Sequence, residues 1–199
     1  MASLASSRIK KELKELLESA KTDSNLVNIE MNADNFMHLT GTIMGPPDTP
    51  YEKAKYRLQI DIPDNYPFCP PVVRFINKIW HPNISSVTGV ICLDILKNQW
   101  AAAMSLRTIL LSIQALLGDP EPNDPQDAVV ANQYKSNPDM FYRTAKHWAK
   151  IYAEGPTQDE ELDGKIRKIV SMGFQEEDAR AALSMKDWDV MKAAEHLIA

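Results

Sequence analysis

Cysteine and histidine are scarce in this chain of 199 residues, which contains two cysteines and four histidines. Two cysteines are too few for the disulfide framework of a small secreted domain. The histidines lie far apart, and the sequence contains neither of the metal-binding motifs Cys-x-x-Cys and His-Glu-x-x-His. We therefore expect free thiols and no metal site.

Long apolar runs and an excess of basic charge are also missing. No stretch approaches the roughly 20 apolar residues of a membrane helix, and the first residues lack the basic-then-apolar pattern of a secretory signal. The formal net charge is −5, whereas nucleic-acid binders usually present a basic face. We expect a monomer of the cytoplasm, and also of the nucleus, that binds neither membrane nor nucleic acid.

Hydrophobic periodicity gives the order of the elements in most of the chain. Helical spacing predicts an amphipathic helix over residues 4–20. Apolar–polar alternation then predicts four short strands between 27 and 76, separated by turn signals as in an antiparallel meander. Helical spacing returns in a central helix at 106–117 and in two further helices near 125–135 and 138–153.

A polar segment rich in helix breakers, residues 155–161, is the predicted linker between two domains. Residues 1–154 form the first domain, and residues 162–199 carry three short helical patterns. The predicted fold is α+β. A four-stranded antiparallel meander sheet has an N-terminal helix, a central helix and two C-terminal helices, and a separate small three-helix bundle follows.

Residues 77–104 show no regular period, and a long irregular stretch in a compact domain is usually functional. This stretch contains Trp80-His81-Pro82-Asn83 and Cys92, and cysteine is the strongest nucleophile among the side chains. A phosphatase would need arginine six positions after the cysteine, and a papain-like protease would need its own local signature. Neither is present. Cys69, beside Pro70-Pro71, is interpreted as a packed or loop thiol.

Around Cys92 the sequence resembles the ubiquitin-conjugating enzymes. The active-site signature of that family is an aromatic residue, His-Pro-Asn, an aliphatic residue, a short loop, glycine, and a cysteine between two aliphatic residues. Residues 80–93 contain every one of these elements. The proline-rich turns at 45–51 and 66–71 also match, so the resemblance covers about residues 4–153.

The C-terminal part resembles a ubiquitin-associated domain. Met172-Gly173-Phe174 would lie in its first loop, and Leu197-Ile198 would close its third helix. The resemblance implies that Met172, Gly173, Phe174 and Leu197 bind ubiquitin. From the residues alone, Phe174 could equally complete a small core.

The resemblance implies an enzyme. It would accept ubiquitin from the activating enzyme as a thioester on Cys92 and transfer it to lysine amines, building polyubiquitin of the linkage that directs proteins to the proteasome. No cofactor would be bound, because ATP is consumed upstream by the activating enzyme. Two alternatives remain: a non-catalytic ubiquitin-binding scaffold, and a carrier of another ubiquitin-like modifier.

Two residues that the resemblance places at the active site have two interpretations each. The resemblance implies that Asn83 stabilises the oxyanion, but asparagine amides also commonly pin loops. It further implies that Asp124 orients the incoming lysine. Because Asp124 precedes Pro125, it could instead be the N-cap of a helix with proline in the first turn. His81 is interpreted as structural.

Two surfaces follow from the same resemblance. A loop pair would bind ring-type ubiquitin ligases through Phe68, Pro67, Ala102 and Ala103. A basic side of the first helix would bind the activating enzyme through Arg8, Lys10, Lys11 and Lys14. The alternatives are a core position for Phe68 and an ordinary solvated helix face for the basic residues.

Overall fold

The computed structural model describes residues 4–19, 27–32 and 35–199. The first domain contains α1 (Leu4–Ser19), β1 (Val27–Asn32), β2 (Asn35–Met44), β3 (Lys55–Asp61), β4 (Val72–Phe75), α2 (Leu106–Gly118), α3 (Ala128–Ser136) and α4 (Pro138–Ala153). The last three helices are α5 (Glu160–Ser171), α6 (Glu176–Met185) and α7 (Val190–Ile198). Residue 20, the predicted end of the first helix, lies outside the described residues.

The four strands form one antiparallel sheet in the order β1-β2-β3-β4. Along β3, buried Tyr56, Leu58 and Ile60 alternate with exposed residues, as in a sheet with one covered face. Helix α2 lies on the covered face, and Leu110 at its centre is fully buried. The predicted fold class, an α+β meander with flanking helices and a C-terminal helical bundle, is confirmed.

A buried carboxylate joins α1 to a turn and to the start of α2 in the first domain. Glu12 is 4% exposed and accepts hydrogen bonds from Arg8 Nε at 2.6 Å and Tyr66 Oη at 2.8 Å. Its other oxygen accepts the N–H of Leu106 at 2.7 Å. A buried charge needs several partners to offset its lost hydration, and here those partners fix α1 beside the segments that contain Tyr66 and Leu106.

The last three helices have a hydrophobic core of their own and also pack against α4. The core residues are Leu162, Ile166, Ile169, Ala179, Ala182, Leu183, Trp188 and Ala193. Trp148 Nε1 on α4 donates to Ser184 Oγ at 2.9 Å, and Trp188 Nε1 donates to Thr144 Oγ1 at 2.8 Å. Two buried indole N–H groups therefore form hydrogen bonds between α4 and the helical unit, one donated from each side. These bonds fix the orientation of the helical unit.

Two buried histidines are held in the neutral form. Burial lowers the pKa of His81 from 6.5 to about 4. Burial lowers the pKa of His147 to about 4 as well, and the neighbouring Arg180 guanidinium contributes. Arg180 Nε donates to His147 Nε2 at 3.2 Å, so His147 serves as an acceptor between α4 and α6.

The lowered pKa values of these two histidines predict that acid destabilises the fold. The unfolded chain binds protons near pH 6.5 and the folded chain only near pH 4, so the free energy of unfolding falls between these values. From pH 7 to pH 5 each histidine should contribute a loss of about 2 kcal/mol. In His147→Leu this pH-dependent loss should be about half as large. Urea denaturation of both proteins at the two pH values measures it, and equal losses would contradict the assignment.

Candidate active site

Cys92 directly follows one half of an isolated antiparallel β-bridge that lies after the sheet in the chain. Ile84 pairs with Ile91, and the N–H of Cys92 donates to the carbonyl of Asn83 at 2.8 Å. The cysteine is half-buried and lines an open cleft of about 700 Å³. The thiol is therefore fixed in position and still reachable from solvent.

The sulfur of Cys92 lies close to both a cation and an anion. Lys97 Nζ is 3.6 Å from Sγ, and Asp124 Oδ2 is 3.8 Å from Sγ. Both charged residues are exposed and line the same cleft. A carbonyl bound to this sulfur would thus have an ammonium and a carboxylate within reach.

Lys97 is the functional candidate that sequence reasoning missed. A search for basic residues within four positions of Cys92 finds none, because Lys97 is five positions away. One turn of 3₁₀ helix at Asp94–Leu96 folds the chain back, and the N–H of Lys97 donates to the carbonyl of Asp94 at 2.9 Å. This turn brings the ammonium of Lys97 back to the sulfur of Cys92.

The side-chain amide of Asn83 ties down the loop that carries Asp124. Nδ2 donates to the carbonyls of Glu121 at 2.9 Å and Asp124 at 3.0 Å, and Oδ1 accepts the N–H of Glu121 at 2.8 Å. Asn83 is 1% exposed, and both of its N–H donors are used. The loop-pinning interpretation describes this arrangement, and a role toward the oxyanion remains a prediction.

His81 supports Asn83 from behind and does not face the sulfur. Its Nδ1 accepts the N–H of Asn83 at 3.0 Å, so the proton of the neutral ring must be on Nε2. Nε2 then donates to the carbonyl of Leu116 at 3.0 Å. The fully buried ring therefore connects α2 to the active-site segment.

The interpretation of Asp124 as a helix N-cap is wrong. Helix α3 begins four residues later, and Asp127 is its cap, with Oδ1 accepting the N–H of Val130 at 3.2 Å. The N–H groups of Gln126 and Asp127 donate to the carbonyl of Pro82 at 2.9 and 3.0 Å. The carboxylate of Asp124 is thereby free of capping and faces Cys92.

The two loops of the predicted ligase surface lie side by side. Trp100 Nε1 donates to the carbonyl of Pro67 at 2.8 Å, which joins the loop of Phe68 to the loop of Ala102 and Ala103. Phe68 is 71% exposed, so its core alternative is wrong, and both alanines are exposed. An exposed aromatic side chain is a suitable anchor for an interface, and its binding role remains a prediction.

The four basic residues of α1 are not equivalent. Lys10, Lys11 and Lys14 are exposed. Arg8 is instead bound by Glu12 and donates through Nη2 to the carbonyl of Met104 at 3.3 Å. The three lysines thus present charge to solvent, whereas Arg8 mainly holds the helix in place, and binding of the activating enzyme by these residues remains a prediction.

The predicted ubiquitin-binding residues lie at one end of the three-helix unit. Met172 is 54% exposed, and Gly173 has a φ of 101°, which side-chain-bearing residues rarely adopt. Phe174 and Leu197 are half-buried and pack against the small core. Phe174 therefore contributes to the core and keeps part of its ring accessible.

Other kinds of site receive no support within residues 4–19, 27–32 and 35–199. This part of the chain holds no group of three or more His, Cys, Asp and Glu residues that could bind a metal ion. Its helices are also too short or too polar to cross a membrane.

Comparison with known proteins gives a consistent result. The model of the ubiquitin-conjugating enzyme family matches residues 8–149. The chain is 59% identical over 198 residues to human ubiquitin-conjugating enzyme E2 K, covering 100% of this chain and 99% of the relative. It is 56% identical over 197 residues to a Drosophila melanogaster protein, ubiquitin-conjugating enzyme E2-22 kDa, covering 99% of each.

Solved structures agree with the sequence comparison. A chain from Plasmodium yoelii described as a ubiquitin conjugating enzyme has a TM-score of 0.73 and 49% identity, covering 78% of this chain and 99% of its own. The E2 domain of a Toxoplasma gondii ubiquitin conjugating enzyme has a TM-score of 0.69 and 46% identity, covering 74% of this chain and 97% of its own.

The hydrogen bonds of Asn83 predict a structural effect of its removal. Asn83→Ala should lower the free energy of unfolding by about 2–4 kcal/mol, because it removes three hydrogen bonds between the buried Asn83 amide and the backbone of Glu121 and Asp124. Asn123→Ala is the matched control, since Asn123 is exposed in the same loop. Urea denaturation measures both. Equal stability of the two variants would contradict the loop-pinning role.

Proposed function

Because the chain belongs to the ubiquitin-conjugating enzyme family, we propose that Cys92 is the residue that carries ubiquitin as a thioester. One observation carries this assignment: the half-buried sulfur opens onto a cleft of about 700 Å³ between Lys97 and Asp124. Cys69, the other thiol, is paired with Asn65 Nδ2 at 2.9 Å and does not line that cleft.

In the charging step, Sγ of Cys92 attacks the C-terminal glycine carbonyl of ubiquitin on the activating enzyme. A new S–C bond forms, and the cysteine sulfur of the activating enzyme leaves and takes up a proton. ATP is consumed before this exchange, on the activating enzyme. The open cleft gives the extended C-terminus of ubiquitin space beside the sulfur.

In the transfer step, the amine of a lysine attacks the same carbonyl. The amine must be neutral, although the ordinary pKa of lysine is about 10.4. The Asp124 carboxylate can accept a hydrogen bond from the amine and the proton that the amine loses. The Lys97 ammonium, 3.6 Å from Sγ, can stabilise the negative charge that develops on the carbonyl oxygen. The C–S bond then breaks, Cys92 returns as a thiol, and an isopeptide bond remains.

The scaffold alternative is disfavoured by the site itself. A protein that only binds ubiquitin needs neither a reachable thiol nor a carboxylate aimed at it. Carriage of another modifier is disfavoured by the C-terminal unit, whose exposed Met172 and adjacent Gly173 suit a ubiquitin-associated domain. We therefore favour ubiquitin as the cargo.

We also propose that the product is polyubiquitin of the linkage that the proteasome recognises. The docked C-terminal unit supports this, because a ubiquitin bound at Met172 and Leu197 would be held at a defined place relative to Cys92. Ring-type ligases would bind at Phe68 and the alanine loop. The activating enzyme would meet Lys10, Lys11 and Lys14, with contacts that weaken at high salt.

Replacement of the nucleophile tests the carrier function. With activating enzyme, ATP and ubiquitin, the protein should form an adduct that non-reducing electrophoresis shows and that a thiol reductant removes. Cys92→Ala should abolish the adduct, because no acyl acceptor remains in the cleft, and Cys69→Ala should form it normally. An adduct of Cys92→Ala that reductant still removes would contradict the assignment.

A substitution at the mouth of the cleft separates charging from transfer. Asp124→Asn removes the proton acceptor and keeps the size of the side chain, so discharge of the thioester to free lysine should slow by about tenfold or more. Charging should proceed normally. Asp119→Asn, in the same cleft, is the matched control. Discharge of Asp124→Asn at the rate of the unmodified protein would show that the carboxylate takes no part.

A further inference from the structure

One buried amide connects the active-site segment with the C-terminal unit. Gln133 on α3 is 5% exposed. Its Oε1 accepts the indole N–H of Trp80 at 2.7 Å. Its Nε2 donates to the carbonyl of Ser184 at 3.0 Å and to Asp187 Oδ1 at 2.8 Å. One side chain thus satisfies a donor of the first domain and two acceptors of the last three helices.

The orientation of this amide follows from the chemistry of its partners. An indole N–H only donates, and a backbone carbonyl only accepts. Oε1 of Gln133 must therefore face Trp80, and Nε2 must face Ser184. Neither a carboxylate nor an apolar side chain at this position could satisfy both sides.

On the catalytic side, the contacts of α3 lead directly to the nucleophile. Trp80 precedes His81-Pro82-Asn83 in the chain. The residues that begin α3 donate to the carbonyl of Pro82, and the cap residue Asp127 accepts Ser86 Oγ at 2.6 Å. Helix α3 is thus attached to the active-site segment near both ends. The loop that contains Asp124 leads directly into the start of α3.

On the side of the C-terminal unit, the contact residues Asp187 and Trp188 lie in a left-handed backbone conformation. Asp187 and Trp188 have φ values of 50° and 61°, a region that residues other than glycine rarely occupy. This pair of left-handed residues directs Asp187 at Gln133 and Trp188 at Thr144. Such a conformation costs free energy, which the surrounding contacts must offset.

We propose that docking of the C-terminal unit positions the active-site loop through Gln133, which makes Gln133 a positioning residue for transfer from Cys92 to lysine. The proposal rests on the carrier function of Cys92 and adds a role for the last three helices that needs no ubiquitin bound to them. When they are docked, Gln133 holds α3 and Trp80 together. When they are not, Nε2 loses both acceptors and the amide can rotate away from Trp80.

A reversal of hydrogen-bond polarity tests the connection in the full chain. Gln133→Glu still accepts from Trp80 but directs an acceptor at the Ser184 carbonyl and the Asp187 carboxylate. Discharge of the Cys92 thioester to free lysine should slow by about three- to tenfold. In Gln133→Glu/Asp187→Asn, the new amide donates to the new carboxylate, but the Ser184 carbonyl still lacks its donor, so discharge should recover only in part, by about twofold or more over Gln133→Glu.

Two controls and one second perturbation accompany this pair. Asp187→Asn alone retains an acceptor for Gln133 and should discharge normally. Gln175→Glu makes the same charge change at an exposed position of the same unit and should have no effect. Asp187→Lys introduces a cation opposite the Gln133 amide from the exposed side, so it should slow discharge even if Gln133→Glu does not fold.

The indole N–H resonances of Trp80, Trp148 and Trp188 in two-dimensional NMR spectra report docking directly. Gln133→Glu should shift the Trp148 and Trp188 signals, and the double variant should move them back toward their original positions. Discharge at the normal rate while those signals show undocking would overturn the proposal, as would a double variant whose signals recover while its discharge stays as slow as that of Gln133→Glu. Failure of the unmodified protein to charge would instead overturn the carrier function.

Discussion

The hydrogen bonds of Asn83 are the constraint on which the active site depends. Its side-chain amide holds the loop of Glu121 and Asp124, and its backbone carbonyl accepts the N–H of Cys92. One buried residue therefore fixes the nucleophile and the carboxylate relative to each other. The neutral ring of His81 supports Asn83 from the core, which explains why this histidine is buried where it cannot act as a base.

Local patterns sufficed to predict much of the molecule. Strand β3 alternates as the sequence indicates, and α4 spans residues 138–153 as predicted. The segment from Trp80 to Leu93 is distinctive enough to place Cys92 in a known family. These features depend on neighbours in the chain or on motifs with fixed spacing, and a sequence displays both directly.

The features that escaped prediction depend on how the chain folds back on itself. Lys97 approaches the sulfur only because of a single 3₁₀ turn. Asp124-Pro125 has the composition of a helix start, but the Pro82 carbonyl binds the next two N–H groups and the helix begins later. Docking of the last three helices joins α4 to residues some 40 positions away, which no local pattern reveals.

Mapping the site of attachment in the charged protein tests the account most directly. The protein is charged with ubiquitin, digested without reductant at acid pH, and examined by mass spectrometry for the peptide that carries the C-terminal residues of ubiquitin. The account predicts a thioester on Cys92 and none on Cys69. Attachment to Cys69, or to lysine side chains with Cys92 free throughout the reaction, would contradict it.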